Sequence, residues 1–335
     1  MSDRNKFILI AIISLVFLLF QGSLIYIIDP YIRYRKPIYN KVVSSSGSPA
    51  LYSGVLRNYE YDSVVLGTSM AQNFKVIDLN KNIGGNFINI AQSGANIAET
   101  ADLFKVAKEK KIKYVVMSLD IFSFKKLNRI SNTKKYSYLF EKPYSLKEYK
   151  YLFNIDSWMH IPRIILKDSE NPYELGYWAN DGYIFSKEEV LKEYKKIKNI
   201  EIKEFNIEEM KKNYREYLEK IVKENPEIQF YFFYPPYSVL TYKNPELDID
   251  GFLEFKLFLS EELLKYNNII LSDYQSEEKI IFDLDLYKDL THYSPEINKY
   301  ILENLKNEKY RLNNTNYKEK ILLLKEKIEL YSLIF

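Results

Sequence analysis

The feature that most limits what this chain can fold into lies near its beginning. Phe7 to Ile28 reads FILIAIISLVFLLFQGSLIYII, without a charge and interrupted only by Ser14, Gln21, Gly22 and Ser23. Coiled as a helix at ~1.5 Å per residue, this run is about 33 Å long, enough to cross a bilayer core of ~30 Å. A cleaved signal peptide has a similar apolar centre, but no small-x-small cleavage site succeeds this one. Residues 1–28 therefore read as an uncleaved, single-pass signal anchor rather than a buried core helix. Charge leaves the orientation open. Arg4 and Lys6 precede the run, and Arg33, Arg35, Lys36 and Lys41 come after it. The positive-inside rule alone leans toward a cytoplasmic body, whereas an apolar span at the N-terminus suits export of the rest of the chain.

Residues 29–60 read as a linker and lead-in, most flexible at Ser44-Ser45-Ser46-Gly47-Ser48-Pro49. Short β-branched or aromatic runs then alternate with segments of helical spacing. Strands are predicted at Tyr61–Leu66, Phe87–Ile90, Lys113–Leu119, Gln229–Tyr234 and Ile269–Leu271. Helices are predicted at Ile97–Lys108, Ile207–Glu224, Phe252–Tyr266 and from Ser294-Pro295 to about Asn307. This alternation predicts one α/β domain over residues 61–308 with a largely parallel sheet. It lapses between about 125 and 205, an aromatic stretch read as an insertion, with short helices near Leu146–Asn154 and Lys187–Lys198. Within it, Asn171–Phe185 reads as a packed aromatic loop or a carbohydrate-stacking surface. A C-terminal amphipathic helix is expected in residues 309–335, with Ile321, Leu324, Ile328, Tyr331 and Phe335 on one stripe. That stripe packs against the domain or docks on a membrane.

Composition narrows the chemistry. The chain has no cysteine and two histidines, His160 and His292. Thiol nucleophiles, thiolate metal sites and multi-histidine centres are excluded, and no metal or organic cofactor is expected. Net charge is +3 from 48 basic and 45 acidic residues, so nothing argues for a nucleic-acid partner. His160 lies in the insertion and is expected to be structural or part of a lid. His292 closes Asp289-Leu290-Thr291-His292. A carboxylate three residues before a histidine can hold one imidazole nitrogen and leave the other to deprotonate a serine. A serine of that kind is offered by Gly67-Thr68-Ser69, directly after the first strand, where open α/β sheets place their ligands. The N–H of Ser69 can face a developing oxyanion there. Tyr234-Pro235-Pro236-Tyr237-Ser238 also lies directly after a strand and is expected in the pocket wall.

A Gly-x-Ser turn after the first strand and a late Asp-x-x-His together resemble the SGNH, or GDSL-like, hydrolase superfamily. The resemblance covers roughly residues 60 to 308 without the insertion. It implies a three-layer α/β sandwich on a short parallel sheet of flavodoxin-like order, with Ser69, His292 and Asp289 as catalytic residues. In Asn89-Ile90-Ala91-Gln92-Ser93-Gly94, it makes Gly94 the second backbone donor to the oxyanion. Where the family's third block has an asparagine amide, this chain has Asp120, and an ionised aspartate cannot donate. Asp120 is then protonated or turned away, or Ser118 or Asn96 donates, or the two backbone N–H groups serve alone. An N-terminal anchor before such a body looks like the envelope O-acylation branch, including the DltD-type partners of teichoic acid D-alanylation and the alginate-acetylation proteins. This implies an extracytoplasmic domain at the cell membrane, an acylated glycan or polymer substrate, and a membrane-bound O-acyltransferase as partner. The other reading is a non-catalytic, membrane-tethered binding or assembly module that keeps the fold.

Overall fold

The computed structural model describes residues 2–39, 41–43, 49–125, 127, 141, 143–144, 146–147, 149–178, 182–197 and 201–331. It divides into two compact units, residues 1–60 with 132–172, and residues 61–131 with 173–335.

The second unit is α/β. Its sheet consists of β1 (Ser63–Leu66), β2 (Phe87–Asn89), β3 (Tyr114–Ser118), β4 (Gln229–Tyr234) and β5 (Ile269–Asp273). All neighbours are parallel and the order is β2-β1-β3-β4-β5. Val64 stands opposite Ile88 on one side and Val115 on the other, and Val116 faces Tyr231. Every residue of β1 and β2 is buried. Strands buried on both faces read as continuous apolar runs, which is why they are visible in the sequence. From β1 the chain first adds β2 on one side and then crosses to add β3 on the other. The crevice at the carboxyl ends of β1 and β3 is therefore a topological switch point, where open α/β sheets bind ligands.

Two helices differ from expectation in detail. The segment predicted as one helix over 207–224 is α-helical at Ile207–Asn213 and Lys220–Lys223, with a π-helical stretch, Tyr214–Glu219, between them. The last helix, Tyr317–Tyr331, buries Tyr317, Ile321, Leu324 and Tyr331 and packs on the helix Ile249–Leu263. Its stripe is thus taken up by the domain, and Phe335 lies outside the described residues.

The first unit contains the helix Asp3–Ile28, the one helix among the described residues long and apolar enough to cross a membrane. Residues 29–60 are more than the expected lead-in. Tyr31, Ile32, Val42, Val43, Leu51, Tyr52, Val55 and Leu56 are buried, and Pro49–Asn58 is helical. The expected flexible stretch, residues 44–48, lies outside the described residues. The expected insertion is also divided: 132–172 belongs to this unit, and 125–131 and 173–205 to the α/β unit. Here the helix Ile155–Leu166 was not anticipated. It buries Ser157, His160 and Ile161, yet Ile155, Met159, Ile165 and Leu166 are exposed. Apolar residues on both sides obscure the helical period that a sequence reading depends on.

Candidate active site

Ser69 owes its position to the residue two places before it. Gly67 has φ +110°, and a Cβ there would stand 2.2 Å from Ser118 Oγ, so no side chain fits. The turn continues as one 3-10 turn, Ser69–Ala71, capped by Thr68, whose Oγ1 accepts from the Met70 N–H at 3.4 Å. Ser69 is the first residue of this turn, and no hydrogen bond engages its N–H among the described residues. The turn is locked from beneath by Asn89 of β2, whose side-chain amide donates to the carbonyls of Ala71, Gln72 and Phe74 at 3.0–3.1 Å.

The histidine loop is set by local chemistry. A bridge between Tyr287 and Tyr293 closes it, and Lys288 N–H donates to the His292 carbonyl at 3.0 Å. Asp289 Oδ1 accepts the N–H groups of Thr291 (2.9 Å) and His292 (2.7 Å), and its Oδ2 bonds His292 Nδ1 at 2.7 Å. The other imidazole nitrogen, Nε2, lies 2.8 Å from Ser69 Oγ. Burial disfavours charge on Asp289, but the His292 contact and the two N–H groups outweigh it and hold the carboxyl below its usual range. The carboxylate thus stays ionised, and with it the imidazole's orientation.

Ser69, His292, Thr68, Met70, Ser93, Gly94, Asp120, Phe122, Tyr237, Lys288 and Thr291 line one pocket of about 510 Å³. The Gly94 N–H also has no hydrogen-bond partner among the described residues. Ser69 and Gly94, whose N–H groups are unengaged among the described residues, thus line the same pocket as the Ser69 hydroxyl. As expected, Tyr237 forms part of the wall.

Asp120 is in the pocket but is already satisfied. Its Oδ1 accepts from Tyr237 OH (2.6 Å) and Phe122 N–H (3.1 Å), and its Oδ2 from Thr68 Oγ1 (3.2 Å). Burial pushes the carboxyl above its ordinary range, against the pull of these donors. The other suggested donors lie outside the pocket lining. Asn96 caps the helix Ile97–Ala107, accepting from Glu99 N–H at 3.0 Å while Glu99 accepts from its N–H. Ser118 is buried beneath Gly67 and accepts the Thr68 N–H at 3.2 Å.

Several supports escaped the sequence reading. Trp178 Nε1 donates to the Ser69 carbonyl (3.3 Å), and its ring meets His292 edge-on at 5.9 Å. Tyr293 OH and Asn298 Nδ2 both donate to the Met70 carbonyl, at 2.7 and 2.9 Å, tying the histidine loop to the serine turn. Glu193 accepts the Leu290 N–H at 2.9 Å. Lys288 lies over the rings of Tyr183 (3.6 Å) and Trp178 (4.1 Å) at the pocket edge. The aromatic loop around Trp178 is therefore packed against the site, although its residues 179–181 lie outside the described residues. His160 belongs to the other unit and takes no part in this arrangement.

A scan against protein-family models and a search of curated proteins return no match for this chain.

Proposed function

We propose that this protein is a membrane-anchored serine esterase or acyltransferase of SGNH type. It acts on acyl esters of a cell-envelope polysaccharide or polymer. The observation that carries the reading is the line Asp289–His292–Ser69, with contacts of 2.7 and 2.8 Å, at a pocket lined by Ser69 and Gly94, whose N–H groups are unengaged among the described residues. Nucleophile, base and orienting carboxylate in hydrogen-bond reach are the arrangement that acyl transfer through serine needs.

The chemistry runs in two halves. Ser69 Oγ bonds to the acyl carbonyl carbon as His292 Nε2 takes its proton. The N–H groups of Ser69 and Gly94 receive the negative oxygen of the tetrahedral intermediate. Collapse breaks the ester C–O bond, and the leaving alcohol takes the proton from His292. The acceptor then gives its proton to His292 and attacks the acyl-serine, and the proton returns to Ser69 as the acyl group leaves. Water as acceptor gives an esterase, and a glycan hydroxyl an acyltransferase. Asp120, turned toward Tyr237, Phe122 and Thr68, lends no donor, so two backbone groups serve alone.

The anchor reading is supported by the helix Asp3–Ile28, of which only 11% of the most apolar window is buried. The basic residues that confuse the orientation have folding roles in their own unit. Arg33 is buried, Arg35 caps the helix by donating to the carbonyls of Tyr26 and Ile27, and Lys36 covers the Tyr59 ring. Those roles hold on either side of the membrane, and the extracytoplasmic placement of the body rests on the resemblance to the envelope branch. A membrane-bound O-acyltransferase beside it is the partner this placement suits.

The test is a serine-directed fluorophosphonate on the detergent-solubilised full chain. Labelling at Ser69, lost in Ser69→Ala and in His292→Ala, is expected. An unlabelled, folded protein whose Ser69→Ala variant still supports envelope acylation in cells would leave the non-catalytic binding module as the reading.

A further inference from the structure

The first unit contains an apolar surface that the acyl chemistry does not use. On the helix Ile155–Leu166, the residues Ile155, Met159, Ile165 and Leu166 are each between 68% and 82% exposed. At 100° per residue, Ile155, Met159, Pro162 and Leu166 fall within one narrow stripe, with Trp158 and Ile165 along its edge. The opposite side carries Ser157, His160 and Ile161, all buried. The helix is thus covered on one face and bare and apolar on the other. Continuous exposed apolar surface of this kind marks a partner or a membrane.

The depth of this surface is set by the apolar helix beside it. From Phe7 to Phe20 that helix is exposed throughout, and it becomes packed only at Gly22 and Ile25. The exposed stretch spans about 21 Å at ~1.5 Å per residue, some 9 Å less than a hydrocarbon core of ~30 Å. Roughly six more residues must therefore lie in the hydrocarbon or at its boundary. Those are the residues against which the unit packs: a Cβ on Gly22 would sit 3.4 Å from the Phe153 ring. Tyr151 OH donates to Asp29 Oδ1 (2.8 Å) just past the helix end. The Ile155–Leu166 helix begins two residues after Phe153 and itself packs on the apolar helix. The flanks match an interfacial site. Tyr26, Tyr34 and Tyr144 cluster at ring distances of 4.9 and 5.3 Å, and Arg163 and Lys167 are exposed beside the stripe. Aromatic and basic residues gather where acyl chains meet headgroups.

We infer that the exposed face of Ile155–Leu166 is seated in the headgroup–acyl boundary of the same bilayer that Asp3–Ile28 crosses, making a second, monotopic contact. This rests on the membrane-crossing part of the proposed function and is independent of the esterase chemistry. Trp158 then lies near lipid, and Met159 and Leu166 are immersed. The anchor and this helix together hold the unit at a defined depth, which a single helix on a flexible tether would not.

The two tryptophans allow a direct test. The full chain carrying Trp178→Phe, with Trp158 as its one indole, is reconstituted in vesicles of phosphatidylcholine with one fifth phosphatidylglycerol. Part of the phosphatidylcholine is brominated at carbons 6 and 7, or at 11 and 12. At least twofold stronger quenching of Trp158 by the shallow bromines than by the deep ones is expected. Adding Met159→Glu and Leu166→Glu should remove that quenching while the protein still resists carbonate extraction. Carbonate-resistant protein whose Trp158 neither bromolipid quenches overturns the proposal while the anchor stands. So does quenching unchanged in the glutamate variant. Release by carbonate would instead overturn the anchor, and this proposal with it. Trp158 that becomes shielded from acrylamide only when an integral membrane protein is added assigns the face to a protein partner, and also overturns it.

Discussion

The two histidines occupy opposite kinds of environment. His160, in the first unit, is 3% exposed; its Nε2 bonds the Val43 carbonyl at 2.9 Å and its ring stacks on Tyr31 at 5.1 Å. His292, in the α/β unit, has a side chain 28% exposed, with one nitrogen on a carboxylate and the other on a serine. Burial makes the charged form of His160 costly and lowers its pKa, and among the described residues no side-chain carboxylate bonds its ring nitrogen to compensate. In His292 the Nδ1 lies 2.7 Å from Asp289 Oδ2. An imidazole held by a carboxylate at a wet pocket edge can pick up and return a proton, whereas one packed under a helix with a carbonyl as partner is a structural strut.

The largest test of this contrast is to remove each ring in turn. His292→Ala should lower turnover of an acyl ester by roughly 10⁵-fold or more, since catalytic groups that act as a unit fail together. His160→Ala should leave turnover within about twofold, because it belongs to the other unit. Equal losses would break the comparison. Next, Asp289→Asn keeps the shape but no longer fixes the imidazole tautomer, and a fall of about 10⁴-fold in kcat is expected. A fall of less than tenfold would mean that the 2.7 Å contact does not govern the imidazole.

On stability the order reverses. His160→Ala removes a buried ring and strands the Val43 carbonyl, which should cost about 2–3 kcal/mol, read as a lower unfolding temperature for the first unit. His292→Ala, at a half-open edge, should cost under about 1 kcal/mol. The last effect is on pH. The folded pKa of His160 is depressed, so below the unfolded value of ~6.5 the unfolded chain binds a proton that the folded one refuses. Stability should therefore decline as pH falls from ~6.5 toward the folded pKa, by at most about 1.4 kcal/mol per pH unit. Denaturant melts at several pH values, with His160→Gln flattening the dependence, would check it.

The legible parts of this protein share a property: their signal is local. Val64–Leu66 and Val115–Met117 announce themselves as buried strands because both of their faces are covered. Asp289 and His292 can be paired because three residues of one loop bring carboxylate and ring together. Trp178, Tyr293, Asn298 and Glu193 were not legible as supports. They bind main-chain groups of Ser69, Met70 and Leu290, at separations of 97 to 228 residues. A carbonyl or N–H exists at almost every position, so a side chain that holds one leaves no residue type to match. The same reason accounts for part of the tyrosine excess. Tyr274, Tyr287 and Tyr293 are buried, and their hydroxyls donate to the carbonyls of Ile301, Pro236 and Met70. A large apolar body with a polar tip pins loops while filling the core.

By itself the sequence determined what covalent geometry and short-range chemistry can enforce. These are the length and apolarity of the N-terminal helix, a glycine before the Thr-Ser turn, and a carboxylate within one loop of an imidazole. Only the tertiary structure decided that His292 Nε2 meets Ser69 Oγ across 223 residues. The same holds for the donors around Asp120, and for the long middle stretch being shared between two units. Those outcomes depend on the order in which strands add to the sheet and on which faces find cover, and no local pattern encodes either.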